Sequence, residues 1–230
     1  NSMQLQSQGT LVGDLCQRPR CWFFRNGQQL LDQQGHVSEG DNRFHAILGN
    51  SGRAKFVSSS RIGPALIALN AQVRVIGPPE DEEQWIPLAD FFVTPRHDEQ
   101  RETILLPGQL VTHVVLPPAD SRYNATYEVR HGEGPDDPLA AAAVSLTIQG
   151  GVVRRAQVVL GHVAPTPWIS STAADALVGR PVDEELAEAA GEAAIAEATP
   201  LSQNGYKVDL AAVAVKRAVL RAAGLETGGF

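Results

Sequence analysis

Two consecutive glycines, Gly150 and Gly151, sit between two strand-like segments, the largely apolar Leu139 to Gln149 and the returning Val152 to Gly161. Glycine tolerates the positive φ that both centres of a two-residue hairpin turn require, so the pair joins the runs into antiparallel strands. Three helical patterns follow. Thr172 to Val178 is short, with Ser170 or Ser171 as its cap and Gly179 as its stop. The second pattern runs from Asp183 to about Ala198 and ends before Pro200. Its acidic first turn suits the positive end of a helix dipole. The third, Lys207 to about Ala223, repeats Val208, Ala212, Val215, Val219 and Ala222 at helical spacing before Gly224. A hairpin-based sheet with helices after it is an α+β pattern.

The earlier residues are less regular. Residues 26 to 55 are rich in Gly, Gln, Asn and Asp and read as loop, with a short strand at His45 to Leu48. Ser58-Ser59-Ser60 offers N-caps, and Pro64 suits the first turn of a helix from Ile62 to Leu69. Strand patterns follow at Gln72 to Ile76, at Gln84 to Leu88 and at Leu110 to Leu116, the first two joined through the acidic run Glu80 to Glu83. Pro117-Pro118 stops the last of these. The PPADSR segment divides the chain near residue 120, giving units of 1–119 and 120–230, the second opening with a strand at Thr126 to Arg130.

Composition narrows the function. The chain has 230 residues, 43% hydrophobic, with a net charge of −7. An acidic chain is a poor general nucleic-acid binder, because such affinity rests on neutralising phosphates. No run approaches the length of a membrane span. No secretory signal pattern is present at the start, so a cytoplasmic location is expected. Two cysteines, Cys16 and Cys21, are too few for a disulfide scaffold. With no partners at metal-ligand spacing they read as buried free thiols. The six histidines lack ligand spacing and are expected at the surface or in loops.

The stretch from Gln6 to Arg25, QSQGTLVGDLCQRPRCWFFR, is the densest in chemistry. Gly9 to Asp14 reads as a tight turn. It is either an ordinary Asp-containing turn or one that lets a ligand approach the backbone. Arg18, Arg20 and Arg25 with Trp22, Phe23 and Phe24 read as a subunit interface.

Several of these segments, in this order, resemble the FAD-binding subunits of molybdenum hydroxylases, the xanthine dehydrogenase and carbon monoxide dehydrogenase group. Gly9-Thr10-Leu11-Val12-Gly13-Asp14 is similar to the family's (A/G)T-x-GG-N turn, and Cys16 to Trp22 to a CQRPRCW-like segment. Ser60-Arg61-Ile62 resembles its Ser-Asp-Leu turn, Pro87 to Phe92 its PLADFF motif, and Leu105 to Pro117 its LLPGQLVTHVVLP-like strand. Tyr127 to Arg130, Leu139 to Val144 and Gly161 to Trp168, similar to GGVAPxPxR, follow in register.

The resemblance implies the second half of an FAD-binding domain followed by the C-terminal flavoprotein domain. It implies FAD as cofactor, contacted by Thr10, Gly13, Asp14, Ser60 and Val111, with no acid–base or nucleophilic residue in this chain. Electrons would pass from a molybdenum-cofactor subunit and a [2Fe–2S] subunit through FAD to an acceptor. The departures are specific. Val12 replaces a second Gly, Asp14 an Asn and Arg61 an Asp. The family's N-terminal glycine-rich subdomain has no counterpart in this sequence, which implies weakened FAD binding and a complementing N-terminal fragment. A subset of the family holds a [4Fe–4S] cluster on four cysteines; only Cys21 of that pattern is kept, so no such cluster is expected. A cofactor-free interaction domain is the second expectation.

Overall fold

The computed structural model describes residues 3–78, 83–118, 122–132 and 136–228. The acidic tip at residues 80–82 and the expected division at 119–121 lie outside the described residues. In chain order the elements are α1 (Met3–Gln8), α2 (Leu11–Leu15), α3 (Trp22–Arg25), α4 (His36–Glu39), α5 (Gly63–Ala68), β1 (Gln72–Ile76), β2 (Gln84–Pro87) and β3 (Leu110–Val115). They continue with β4 (Arg122–Val129), β5 (Ala140–Gln149), β6 (Val152–Gly161), β7 (Trp168–Ile169), α6 (Ser171–Leu177), α7 (Glu184–Ala194) and α8 (Tyr206–Ala222). Two antiparallel sheets result, ordered β2-β1-β3 and β4-β5-β6-β7.

The Gly-Gly hairpin organises the larger sheet. Gly150 and Gly151 take φ of 62° and 77°, and Gln149 pairs with Val152 across them. Strand β5 is buried on both faces, which is why it reads as an unbroken apolar run. Ala140, Ala142, Val144 and Leu146 face a core shared with α6, α7 and α8. Ala143 and Val159 face a second core with Ile67 of α5, Val73 and Val75 of β1, and Leu88 and Phe91 of the PLADFF motif. Small residues are needed on this second face because α5 lies close: a Cβ on Gly161 would meet Pro64 Cγ at 2.8 Å.

The helices close as their sequences direct. Ser170 Oγ accepts from Ala173 N–H at 3.2 Å, and Asp183 Oδ1 from Leu186 N–H at 2.7 Å. Helix α7 ends at Ala194, four residues before the expected Ala198. There the chain turns away, and Thr199 N–H donates to the Ile47 carbonyl at 2.7 Å.

That bond belongs to a larger correction. His45 to Leu48 is not a strand. Ala46 N–H donates to the Lys55 carbonyl, and Ile47 and Leu48 N–H share the Val163 carbonyl. The segment is a buried loop, with Ile47 and Leu48 fully inside the core of the larger sheet. A buried loop must satisfy its backbone through tertiary bonds. Asn50 Nδ2 donates to the Ala46 and Thr199 carbonyls, and Asn204 Nδ2 to those of His45 and Ala46.

Candidate functional site

Residues 9–14 are not a free turn but the start of α2. Thr10 is extended (φ −115°, ψ 154°), and its Oγ1 accepts from Gly13 N–H at 2.9 Å as the N-cap. Gly13 is helical, and positive φ is not what requires it. A Cβ there would meet Thr10 Oγ1 at 2.8 Å, so glycine leaves room for the cap. Thr10 and Gly13 are both exposed.

Asp14, next in α2, faces inward onto the turn before α5. Its Oδ2 accepts from Ser60 Oγ at 2.7 Å and Ile62 N–H at 3.1 Å, and its Oδ1 from Gln17 Nε2 at 3.0 Å. Ser60 Oγ in turn accepts from Gly63 N–H at 2.9 Å, although the N-cap position of α5 is Ile62 rather than one of the serines. Thr10, Gly13, Asp14 and Ser60 therefore form one hydrogen-bonded cluster. Val111 is on β3, opposite Val75, and packs half-buried into the core that also takes Leu15 of α2.

Beside the cluster lies a cavity of about 380 Å³ lined by Asp14, Arg61, Ile62, Tyr127, Glu128 and Ala141 among others. Arg61 Nη2 donates to Glu128 Oε2 at 2.6 Å and Nε to Oε1 at 3.3 Å, while Arg130 holds Oε2 from the other side at 2.6 Å. Burial acts to raise the Glu128 pKa. The two guanidiniums outweigh it and hold the carboxyl below the usual range. This pairing ties the Ser60-Arg61-Ile62 turn to β4.

The oxygens of Asp14 are engaged by neutral donors from within the chain, which orient the carboxylate without cancelling its charge, and the exposed surface of the turn includes the neutral Thr10 and Gly13.

Sequence reasoning missed three buried polar groups. His45 and His162 lie in loops, one of the two expected settings, but they are buried there, each 3% exposed, and Lys207 is 1% exposed. Lys207 Nζ donates to the carbonyls of Phe44, His45 and His162 at 3.2, 3.1 and 2.8 Å. Desolvation pushes the Lys207 pKa down to about 7, the His45 pKa to about 4 and the His162 pKa to about 3. The signal available was Lys207 itself, which falls on the same α8 stripe as the buried Ala211 and Val215. The cysteines are half-buried rather than buried, and Cys21 does have a partner: its Sγ lies 3.1 Å from His45 Nε2. Burial is the main influence raising both thiol pKa values. The Trp22-Phe23-Phe24 strip is the one-turn helix α3, with Trp22 edge-on to Phe44 at 5.5 Å.

Family models match both parts of this two-sheet α+β fold. Residues 1–119 match the FAD binding domain in molybdopterin dehydrogenase, and residues 125–222 the CO dehydrogenase flavoprotein C-terminal domain. The chain belongs to this family. It is 33% identical over 215 residues to the aldehyde oxidoreductase FAD-binding subunit PaoB of Escherichia coli strain K12, covering 91% of this chain and 64% of that protein. It is 34% identical over 124 residues to the carbon monoxide dehydrogenase medium chain of Afipia carboxidovorans, covering 52% and 43%. Among solved structures, carbon monoxide dehydrogenase from Hydrogenophaga pseudoflava superposes with a TM-score of 0.59 at 30% identity, over 70% of this chain and 55% of that one. The Cu,Mo-CO dehydrogenase superposes at 0.62 and 28% identity, over 72% and 57%. The chain thus spans less than two thirds of the length of these relatives.

Proposed function

We propose that this chain is the flavin-bearing electron-transfer subunit of a molybdenum hydroxylase, taking electrons from iron–sulfur centres and passing them to an acceptor. One observation carries the reading. The family match runs through both units, and four of the five expected contact residues lie in one hydrogen-bonded cluster between α2 and the turn before α5. Thr10 and Gly13 would present the turn's surface to FAD, Asp14 and Ser60 would hold that turn against α5, and Val111 would offer an apolar contact from β3. FAD, when bound, would supply a centre that takes electrons one at a time from iron–sulfur centres and can store two for delivery to an acceptor. This chain's own residues bind and orient it. Its partners are a molybdenum-cofactor subunit and a [2Fe–2S] subunit. A cytoplasmic setting is consistent with the two free thiols.

We infer no [4Fe–4S] cluster. Two cysteines cannot supply four thiolates. In addition, Cys21 packs against an apolar cluster of Leu30, Leu31, Ala54 and Phe56. The test of the flavin reading is retention: protein incubated with FAD and desalted should stay yellow and release FAD on denaturation. Protein that stays colourless, alone and with the N-terminal segment supplied, would favour a cofactor-free interaction domain. That second reading draws on the turn's internal completeness, since Asp14 and Glu128 already have partners within the chain.

A further inference from the structure

Asparagine followed by glycine occurs twice in the chain, at Asn26-Gly27 and at Asn204-Gly205. This pair of residues is the one most prone to lose the asparagine amide, because glycine's missing Cβ lets the following backbone nitrogen reach the asparagine Cγ. The fold treats the two copies in opposite ways. Asn204 is fully buried: its Nδ2 donates to the His45 and Ala46 carbonyls at 3.1 and 3.2 Å, and its Oδ1 accepts from Leu201 N–H at 2.6 Å. Asn26 is exposed at the C-cap of α3, and its side chain makes no hydrogen bond among the described residues. Gly27 follows at φ 89°, and the space where a Cβ would stand is empty out to 4 Å. Gly27 N–H donates to the Phe24 carbonyl at 3.1 Å, so one backbone bond has to open before its nitrogen reacts. That bond closes a helix of four residues, too short for cooperative helix formation to protect it.

We propose that Asn26 is a site of spontaneous deamidation and that the fold protects Asn204 from the same reaction. The Gly27 nitrogen bonds to Asn26 Cγ and gives up its proton, and the side-chain amide nitrogen leaves as ammonia, closing a cyclic imide. Water then opens the imide at one carbonyl or the other. The products are aspartate, or isoaspartate with the backbone rerouted through the side-chain carbon. No electrons are exchanged, and water is the only co-reactant. Either product sets a carboxylate where a neutral amide stood, next to Arg25, whose Nε and Nη2 donate to the Pro19 and Arg18 carbonyls, each at 3.1 Å. The new charge lies at the carbonyl end of α3, where an anion is unfavourable. Isoaspartate also lengthens the backbone, which pulls Gly27 and Gln28 N–H away from the Phe24 and Phe23 carbonyls. The modification therefore acts on the strip from Arg18 to Arg25, whose arginines and aromatics have the composition of an interface.

The test holds the full, folded chain in warm, mildly alkaline buffer and follows both sites over time by peptide mapping with mass spectrometry and isoaspartyl-methyltransferase labelling. A urea-unfolded sample is the reference in which both sites are open, and there both should convert. In the folded chain Asn26 should convert at least roughly tenfold faster than Asn204, whose three side-chain hydrogen bonds must open first. Asn26→Gln changes an exposed side chain without a partner, so the variant should fold and should lose the labelling that the folded chain acquires. Asn26 left intact in the folded chain while it converts in urea overturns the proposal. So does conversion of Asn204 as fast as Asn26 in the folded chain, or unchanged labelling of a folded Asn26→Gln. Neither asparagine belongs to the flavin turn, so the outcome is independent of FAD retention.

Discussion

Asp14 shows how a residue's meaning depends on where its oxygens point. Its carboxylate accepts from Ser60, Ile62 and Gln17, so its role is to hold α2 onto the turn before α5. Asp14→Ala would leave those donors without an acceptor and should lower stability by about 1–3 kcal/mol, read from urea unfolding. Gly13→Ala sets two effects of similar size against each other. Loss of the Thr10 cap costs about 1 kcal/mol, and helix propensity returns about 1 kcal/mol, so stability should barely move. The buried histidines predict a pH dependence with a definite sign. Both have folded pKa values below the ordinary 6.5, so the unfolded chain binds more protons as pH falls. Above about pH 7 the lowered Lys207 pKa makes stability rise with pH, and from about pH 6.5 down toward pH 4 stability should decline, by up to about 1.4 kcal/mol per pH unit for each histidine. A melting temperature independent of pH across that window would contradict the buried neutral assignment. None of these roles could be read from spacing. Asp14 reaches Ser60 and Lys207 reaches the His162 carbonyl across tens of positions, and polar residues carry no periodic signal of burial.

Elements were more legible where local chemistry demanded them. The hairpin of β5 and β6 could be read because only glycine comfortably takes two successive positive φ values, and α8 because its apolar residues repeat along one stripe. Helix α2 was hidden: five residues with glycine in the middle give no period, and the Thr10 cap, the Asp14 bonds and the buried Leu15 sustain it. The loop through His45 to Leu48 was misread as a strand because its apolar residues are buried as a strand's would be, while its hydrogen bonds go to residues 163 and 199. One crossing offers a sharp test. A Cβ on Gly191 of α7 would sit 2.5 Å from the Ala212 carbonyl oxygen of α8. Backbone cannot move as a side chain can, so Gly191→Ala should destabilise by about 1–3 kcal/mol despite its gain of about 1 kcal/mol in helix propensity. Calorimetric melting checks it, and an unchanged or raised melting temperature would show that the helices are not so closely packed.

At the scale of the molecule, the two matched units are bound together through more than the chain between them. Strand β5 sends alternate side chains into both cores, α5 packs on the hairpin, and Arg61 reaches Glu128 across the seam. Ile47 and Leu48, early in sequence, lie in the core of the later unit. We therefore expect residues 120–230 expressed alone to be poorly folded, and to gain native chemical-shift dispersion when residues 1–119 are added in trans. The family was legible because its motifs occur in a fixed order along nearly the whole chain, although each motif is weak by itself. The measurement that tests the central claim most directly is an FAD titration of the chain, with the N-terminal segment supplied, comparing wild type with Gly13→Leu by quenching of flavin fluorescence. The account predicts saturable binding to wild type and binding at least roughly tenfold weaker to a folded Gly13→Leu, whose new side chain would stand where the nucleotide meets the turn. Equal affinity for both proteins, or no binding by either, would contradict it.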